Sequence, residues 1–178
     1  PDVKGPFMAK RPILIFPSPI IRKQSLPITS INGELQRFID DMMETMYAAP
    51  GVGLAAPQVG ALKQIIVLDL HDDRKPTRPL TLINPELVAA EGQYVDEEGC
   101  LCIPNLKAEV PRFKRVVVKA YDRNEKKIVV EGSGLLARIL QHEIDHLNGV
   151  LFIDRLSTAK RELVKRRLKK AAKEQGSG

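Results

Sequence analysis

Cysteine and histidine are scarce in this 178-residue chain, which has two of the first and three of the second. The cysteines, Cys100 and Cys102, are one residue apart. Two thiols so close in an extended segment make no ordinary disulfide, so a disulfide framework is excluded. A reducing compartment is expected instead, a bacterial-type cytoplasm or an organelle, and not a secreted setting. Long apolar runs are missing too: nothing approaches the roughly 18 apolar residues of a membrane-spanning helix. No secretory pattern opens the sequence, and no internal repeat or low-complexity block interrupts it. What remains is 43% apolar and 28% charged, an ordinary globular balance. One domain over residues 8–174 is expected, with 1–7 and 175–178 as tails.

The formal charge of +6 is unevenly spread. Arg155, Lys160, Arg161, Lys165, Arg166, Arg167, Lys169, Lys170 and Lys173 crowd the last part of the chain. A solvated helix face is the simpler reading, and attraction to a polyanion such as ribosomal RNA is the sharper one.

Between Asn32 and Ala49 the residues Leu35, Phe38, Ile39, Met42, Met43 and Met46 recur at helical spacing. An amphipathic helix is predicted there, capped by Ser30 or Asn32 and stopped by Pro50–Gly51. Strands are predicted over Gln64–Leu70 and Leu80–Asn84, and a hairpin of Arg115–Tyr121 with Lys127–Glu131 around Asp122–Arg123–Asn124. A second helix is expected from Gly134 to Leu147, stopped by Asn148–Gly149, and a third from Ser157 to about Lys173. On that third helix Leu163, Val164 and Leu168 form a sparse apolar stripe. This order implies an α+β fold: short, mostly antiparallel strands around a central helix, with an N-terminal helix and a basic C-terminal one.

The central helix carries His142–Glu143–Ile144–Asp145–His146. Positions i and i+4 share a helical face, so both imidazoles can grip one metal ion, with Glu143 placed as a general base. Asp145 points elsewhere and is expected to cap or pair. A metal hydrolase needs a third protein ligand. Phe152 stands where one metalloprotease group has a third histidine, and His71 lies far upstream. Glu162 could serve as in thermolysin-like peptidases, but it sits in a basic stretch. Cys100, in Glu97–Glu98–Gly99–Cys100–Leu101, is the better candidate: a metal holds the thiol as thiolate and leaves one position open. Adding Cys102 would close the site and make it structural, as in a basic RNA-binding protein with a structural metal. The stretch Gly51–Val52–Gly53–Leu54–Ala55–Ala56–Pro57–Gln58 allows backbone to approach a ligand. It is no phosphate loop, because no Gly-Lys-Ser/Thr follows.

Taken together, Gly51–Gln58, Glu98–Leu101 and Gln141–Leu147 resemble, in order, the three signature motifs of peptide deformylases. The resemblance implies a metal-dependent hydrolase removing the N-formyl group from the formylmethionine of newly made polypeptides, and releasing formate. It implies Cys100, His142 and His146 as ligands of one divalent ion, natively Fe²⁺, with Zn²⁺, Ni²⁺ or Co²⁺ able to replace it. Glu143 is then the general base and acid. Gln58 and the backbone N–H of Leu101 stabilise the oxyanion, and Gly53 binds the substrate backbone. Val52, Leu135 and Ile139 match positions that line the methionine pocket. Nascent formylmethionyl chains are the expected partners, with ribosome contact through the basic helix and no membrane. Two departures stand out: Cys102 where serine is frequent, and Arg138 where an apolar pocket residue is usual.

Overall fold

The computed structural model describes residues 9–70 and 78–176. His71, Met8 and the tail at 1–7 lie outside the described residues.

The first expected helix is α1 (Gly33–Ala48), and the asparagine caps it: the Asn32 side chain accepts from the Leu35 N–H at 2.9 Å. Its apolar face buries Leu35, Phe38, Ile39, Met42 and Met46. The strands are β1 (Gly53–Ala55), β2 (Ile65–Leu68), β3 (Leu80–Glu91), β4 (Tyr94–Cys100), β5 (Ile103–Arg112), β6 (Arg115–Tyr121) and β7 (Lys127–Ser133). Five of them form one antiparallel sheet in the order β1-β2-β3-β6-β7, and β4 and β5 form a separate two-stranded sheet. Helix α2 (Gly134–Leu147) follows β7 directly, and α3 (Thr158–Gln175) closes the described chain. The α+β expectation holds.

The α2 helix lies over the sheet because its Ala137, Ile139, Leu140 and Leu147 pack on Ile66, Leu82, Val116 and Val118. The α1 face packs on Leu54, Ile65 and Val67 from the same short strands. A third cluster joins the β4–β5 hairpin to the chain after α2 through Cys102, Ile103, Val110, Phe152 and Ile153. The catalytic-type helix is therefore held between a sheet on one side and a separate hairpin on the other.

Several elements depart from the expectations. Strand β3 continues past Asn84 to Glu91, through register irregularities between Ile83 and Glu86 and between Leu87 and Ala89. Asn84 itself takes φ 51° and ties its amide to the backbone of Ile28. Pro85 and the exposed end of the strand mask its pairing with β6. The β4–β5 hairpin is largely polar and half exposed, so its period-2 pattern is weak. Of the stripe on α3, Val164 is buried and Leu168 partly so, whereas Leu163 is 51% exposed.

The stop after α2 has a steric reason. Gly149 takes φ 72°, and a Cβ there would lie 2.3 Å from the carbonyl oxygen of Arg22. Left-handed backbone costs an L-residue about 1–2 kcal/mol, and the clash adds to it. Gly149→Ala is expected to lower stability by more than about 2 kcal/mol in urea unfolding; a midpoint within error of the parent would contradict this account.

Candidate metal centre

Residues i and i+4 of α2 meet the end of β4 at one point. The Nε2 atoms of His142 and His146 are 3.2 Å apart, and the Cys100 Sγ is 3.3 Å from the His146 Nε2. All three ligand atoms fall within 4.8 Å of one another, the grouping of this kind among the described residues. A tetrahedral ion about 2.0–2.1 Å from nitrogen and about 2.3 Å from sulfur needs ligand atoms roughly 3.3–3.6 Å apart. The residues present fit such an ion. Cys102 stands outside the group: its side chain is fully buried, and its Sγ accepts from the Gln58 amide at 3.4 Å. A closed four-ligand site is therefore not formed. Glu162 is exposed on α3 and pairs with Lys165, so the thermolysin-like arrangement is absent as well.

The His142 ring is fixed from behind. Its Nδ1 donates to the Glu98 Oε1 at 2.7 Å, which leaves Nε2 facing the other two donors. Glu98 is gripped in turn by Arg112, whose Nε and Nη2 donate to its two oxygens at 2.8 and 2.9 Å. Arg112 also donates to Asp145 at 2.6 Å, and Arg155 clasps the same carboxylate at 2.6 and 2.7 Å. Asp145 thus pairs away from the centre, as expected. Burial alone would push the Glu98 carboxyl up, but the Arg112 and His142 hydrogen bonds outweigh it and hold it at about 2. Burial pulls His142 down, and the Glu98 bond with the Glu143 and Glu98 charges reverses that into a net rise. His146 is as buried, and its Nδ1 has no hydrogen-bond partner, so desolvation and the neighbouring His142 charge drive it well down.

Glu143 is the opposite case to Glu98. Its carboxyl is 4% exposed, its Oε2 has no partner, and burial pushes it up to about 7. Gly53 lies against it: a Cβ at Gly53 would sit 3.0 Å from the Glu143 Oε1 and from the Ile139 Cγ2. Strand β1 can pass this close to α2 only as glycine. Gln58, in the 3-10 turn Ala56–Val59, accepts from the Ala55 N–H at 2.8 Å through Oε1. That bond aims its NH₂ at the Cys100 Sγ, 3.8 Å away. The Cys100 thiol, hydrogen-bonded to Cys102 and buried, is pushed well up in the absence of a cation.

These groups open on a cleft of about 900 Å³ lined by Val52, Gly53, Leu101, Leu135, Arg138 and Ile139 among others. Every residue that the deformylase resemblance implies for the site lies in it or in the ligand group beneath it, His146 being in the latter. Val52 and Leu135 are 40% and 59% exposed, so they form its mouth, and Ile139 forms its floor. Arg138 is 3% exposed and turned onto Glu98. Residues whose part the sequence did not disclose are Glu98, Arg112 and Gln141. Gln141 holds the backbone N–H and C=O of Phe113 at 2.9 and 3.0 Å, latching α2 to the turn before β6. The neighbouring carboxylates of Glu97–Glu98 were a visible signal; Arg112 gave none, because only the hairpin brings it back.

An N₂S donor set made by a HExxH helix and a strand thiol, with a buried carboxyl beside it and a cleft above, defines a metal-dependent hydrolase. Residues 10–162 match the family model for polypeptide deformylase. A peptide deformylase of Rhizobium meliloti (strain 1021) is 50% identical over 96% of this chain and 98% of its own length. One from Thermodesulfovibrio yellowstonii is 49% identical over 91% and 98%. The crystal structure of a peptide deformylase from Legionella pneumophila superposes with a TM-score of 0.87 at 44% identity, covering 96% of this chain and 99% of that one. The chain belongs to the polypeptide deformylase family, whose members are metal-dependent enzymes that remove N-formyl groups.

Cys100→Ser replaces a soft thiolate by a poor ligand while leaving the fold's packing nearly unchanged. Purified parent protein is expected to keep close to stoichiometric metal through dialysis against a weak chelator, and the variant to lose most of it by elemental analysis. Equal metal content in both would remove Cys100 from the centre.

Proposed function

We propose that this chain removes the formyl group from the N-terminal formylmethionine of newly made polypeptides, as one catalytic unit over residues 8–174, using the cleft over Cys100, His142 and His146. The observation that carries the reading is the meeting of those three donors beside an unpartnered, buried Glu143. Fe²⁺ is the proposed native ion, with Zn²⁺, Ni²⁺ or Co²⁺ able to substitute, since thiolate and imidazole suit several first-row cations. Lewis acidity at that point, supplied by a bound divalent cation, activates water and polarises a carbonyl.

The chain's own residues do the rest. Glu143 takes the proton of the attacking water and returns it to the departing amine, which leaves as formate forms. Its burial suits both halves of that exchange, because a carboxyl pushed towards neutral pH gives up a proton as readily as it takes one. Gln58, held by Ala55 with its NH₂ turned to the Cys100 sulfur, and the Leu101 backbone N–H stabilise the carbonyl oxygen as it gains charge. Strand β1 is an edge of the sheet, so Gly53 can bind an extended peptide backbone as an added strand. Val52, Leu135 and Ile139 receive the methionine side chain.

Cys100 and Cys102 stand too close in sequence for an ordinary disulfide, and that spacing is the support for the proposed reducing, cytoplasmic or organellar setting. No helix of the described residues is long and apolar enough to cross a membrane. The helix α3 turns little apolar surface inward beyond Val164 and Leu168, and its many cations support the proposal that it docks on ribosomal RNA.

The deciding assay is anaerobic formate release from formyl-Met-Ala-Ser, with metal measured on the same sample. Glu143→Gln should retain metal and lose about 10²–10⁴ of turnover, and Gln58→Ala about 10²–10³. Near-parental rates for Glu143→Gln would refute the role given to it. For α3, the triple variant Arg166→Glu, Lys169→Glu, Lys170→Glu should abolish salt-sensitive co-sedimentation with ribosomes at unchanged peptide turnover. Unchanged co-sedimentation would dismiss docking through this helix.

A further inference from the structure

Arg138 occupies an odd place for a charge. It is 3% exposed, it borders an apolar cleft, and Arg112 already neutralises the carboxylate it meets. Burying a second guanidinium there is costly unless each contact it makes is used. Its Nη1 donates to the Glu98 Oε2 at 2.5 Å and to the Val110 carbonyl at 2.9 Å. Its Nε reaches the Tyr94 hydroxyl at 3.3 Å, and the guanidinium lies 4.6 Å over the Tyr94 ring. The side chain is fixed on every side.

The helix explains why this matters. Arg138 and His142 are i and i+4 on α2, so both face β4 and both reach the one Glu98 carboxylate, at Oε2 and Oε1 respectively. Arg112 adds one donor to each oxygen. Each oxygen of Glu98 then takes two hydrogen bonds, which is about the full capacity of a carboxylate. A carboxylate held by Arg112 alone can still pivot about that bidentate axis, carrying the His142 ring with it. With Arg138 on Oε2 the pivot is blocked, and the His142 Nε2 lone pair keeps one direction.

We infer that Arg138 is a positioning residue for the metal centre: it locks Glu98, and through Glu98 the His142 ring, so that the bound cation is retained. This rests on the reading of Cys100, His142 and His146 as ligands. It also accounts for an arginine at a position where an apolar pocket residue would serve the cleft equally well.

The test uses the full chain loaded with Co²⁺, following the thiolate-to-metal absorption band and the rate of Co²⁺ loss to EDTA, with thermal unfolding and the KM for formyl-Met-Ala-Ser alongside. Arg138→Leu is expected to release Co²⁺ faster by roughly 10–100-fold, the usual effect of losing a residue that orients a ligand. Arg138→Lys, which keeps the charge and a donor to Glu98, should restore most of the retention. A folded Arg138→Leu that releases Co²⁺ at the parental rate overturns the inference, as does a raised KM with unchanged release, which would make Arg138 a pocket residue only. Should Arg138→Leu not fold, Arg138→Gln and Arg138→Lys decide: faster release from Gln alone supports the inference, and equal rates overturn it. A parent protein that takes up no Co²⁺ defeats the ligand reading itself, and this inference with it.

Discussion

The Glu98 carboxylate is the joint on which the centre turns. Strand β4 supplies it, β5 returns Arg112 to it, and α2 presents Arg138 and His142 to it from successive turns. A buried carboxylate with no partners is costly to keep ionised, and one on β4 with partners from β5 and α2 fixes all three elements relative to each other. The hairpin's buried apolar residues pack on the segment after α2, and its link to α2 itself runs through this charge network. Cys100 is the last residue of β4, two positions beyond Glu98. Whatever holds Glu98 against α2 therefore also delivers the sulfur to the two imidazoles.

The network extends past Glu98 without breaking. Arg112 bridges Glu98 to Asp145, and Arg155 brings the segment after α2 to the same point. Asp145 and His146 are adjacent on the helix but face different groups, one turned to the arginines and the other to the metal site. The Phe152 ring, fully buried nearby, stacks on His142 at 6.3 Å between centroids. Polar and apolar packing thus restrain the same imidazole from two directions. His146 has no such polar support at Nδ1, so its orientation rests on the helix and its packing alone.

Most of this was legible in the sequence where the signal is local. Helix α2 was readable to its last residue because its apolar spacing, its His-Glu-x-x-His pattern and its Asn148–Gly149 stop all agree. Cys100 stood out as third ligand because a thiol suits an open metal site and Glu162 sits in a basic stretch, and the full ligand set came with the resemblance. The hairpin of β4 and β5 was not legible, because β4 is mostly polar and exposed, the few apolar residues of β5 are widely spaced, and its link to α2 is made by ion pairs across about 40 residues. Arg138 looked like a departure from an apolar pocket for the same reason: the partner that accounts for it, Glu98, is near only in space. Sequence periodicity reports apolar burial, and it is silent about charges that bury one another.

The two buried glutamates show how one centre sets apart two uses of the same side chain. Glu98 and Glu143 are 6% and 4% exposed, so burial alone does not separate them. What differs is the company: Glu98 is surrounded by donors and held at about 2, whereas Glu143 has an orphan oxygen and is pushed up to about 7. The first is locked as an anion across the physiological range, which suits a fixed anchor and disqualifies it from moving protons. The second can change protonation near neutrality, and a cation nearby would draw it back towards the anion, ready to accept. Gly53 enforces the distinction by leaving Glu143 just enough room and no polar neighbour of its own. The contrast is created by Arg112 and Arg138, which both donate to Glu98 and neither to Glu143, and their absence from Glu143 is what leaves it free for chemistry.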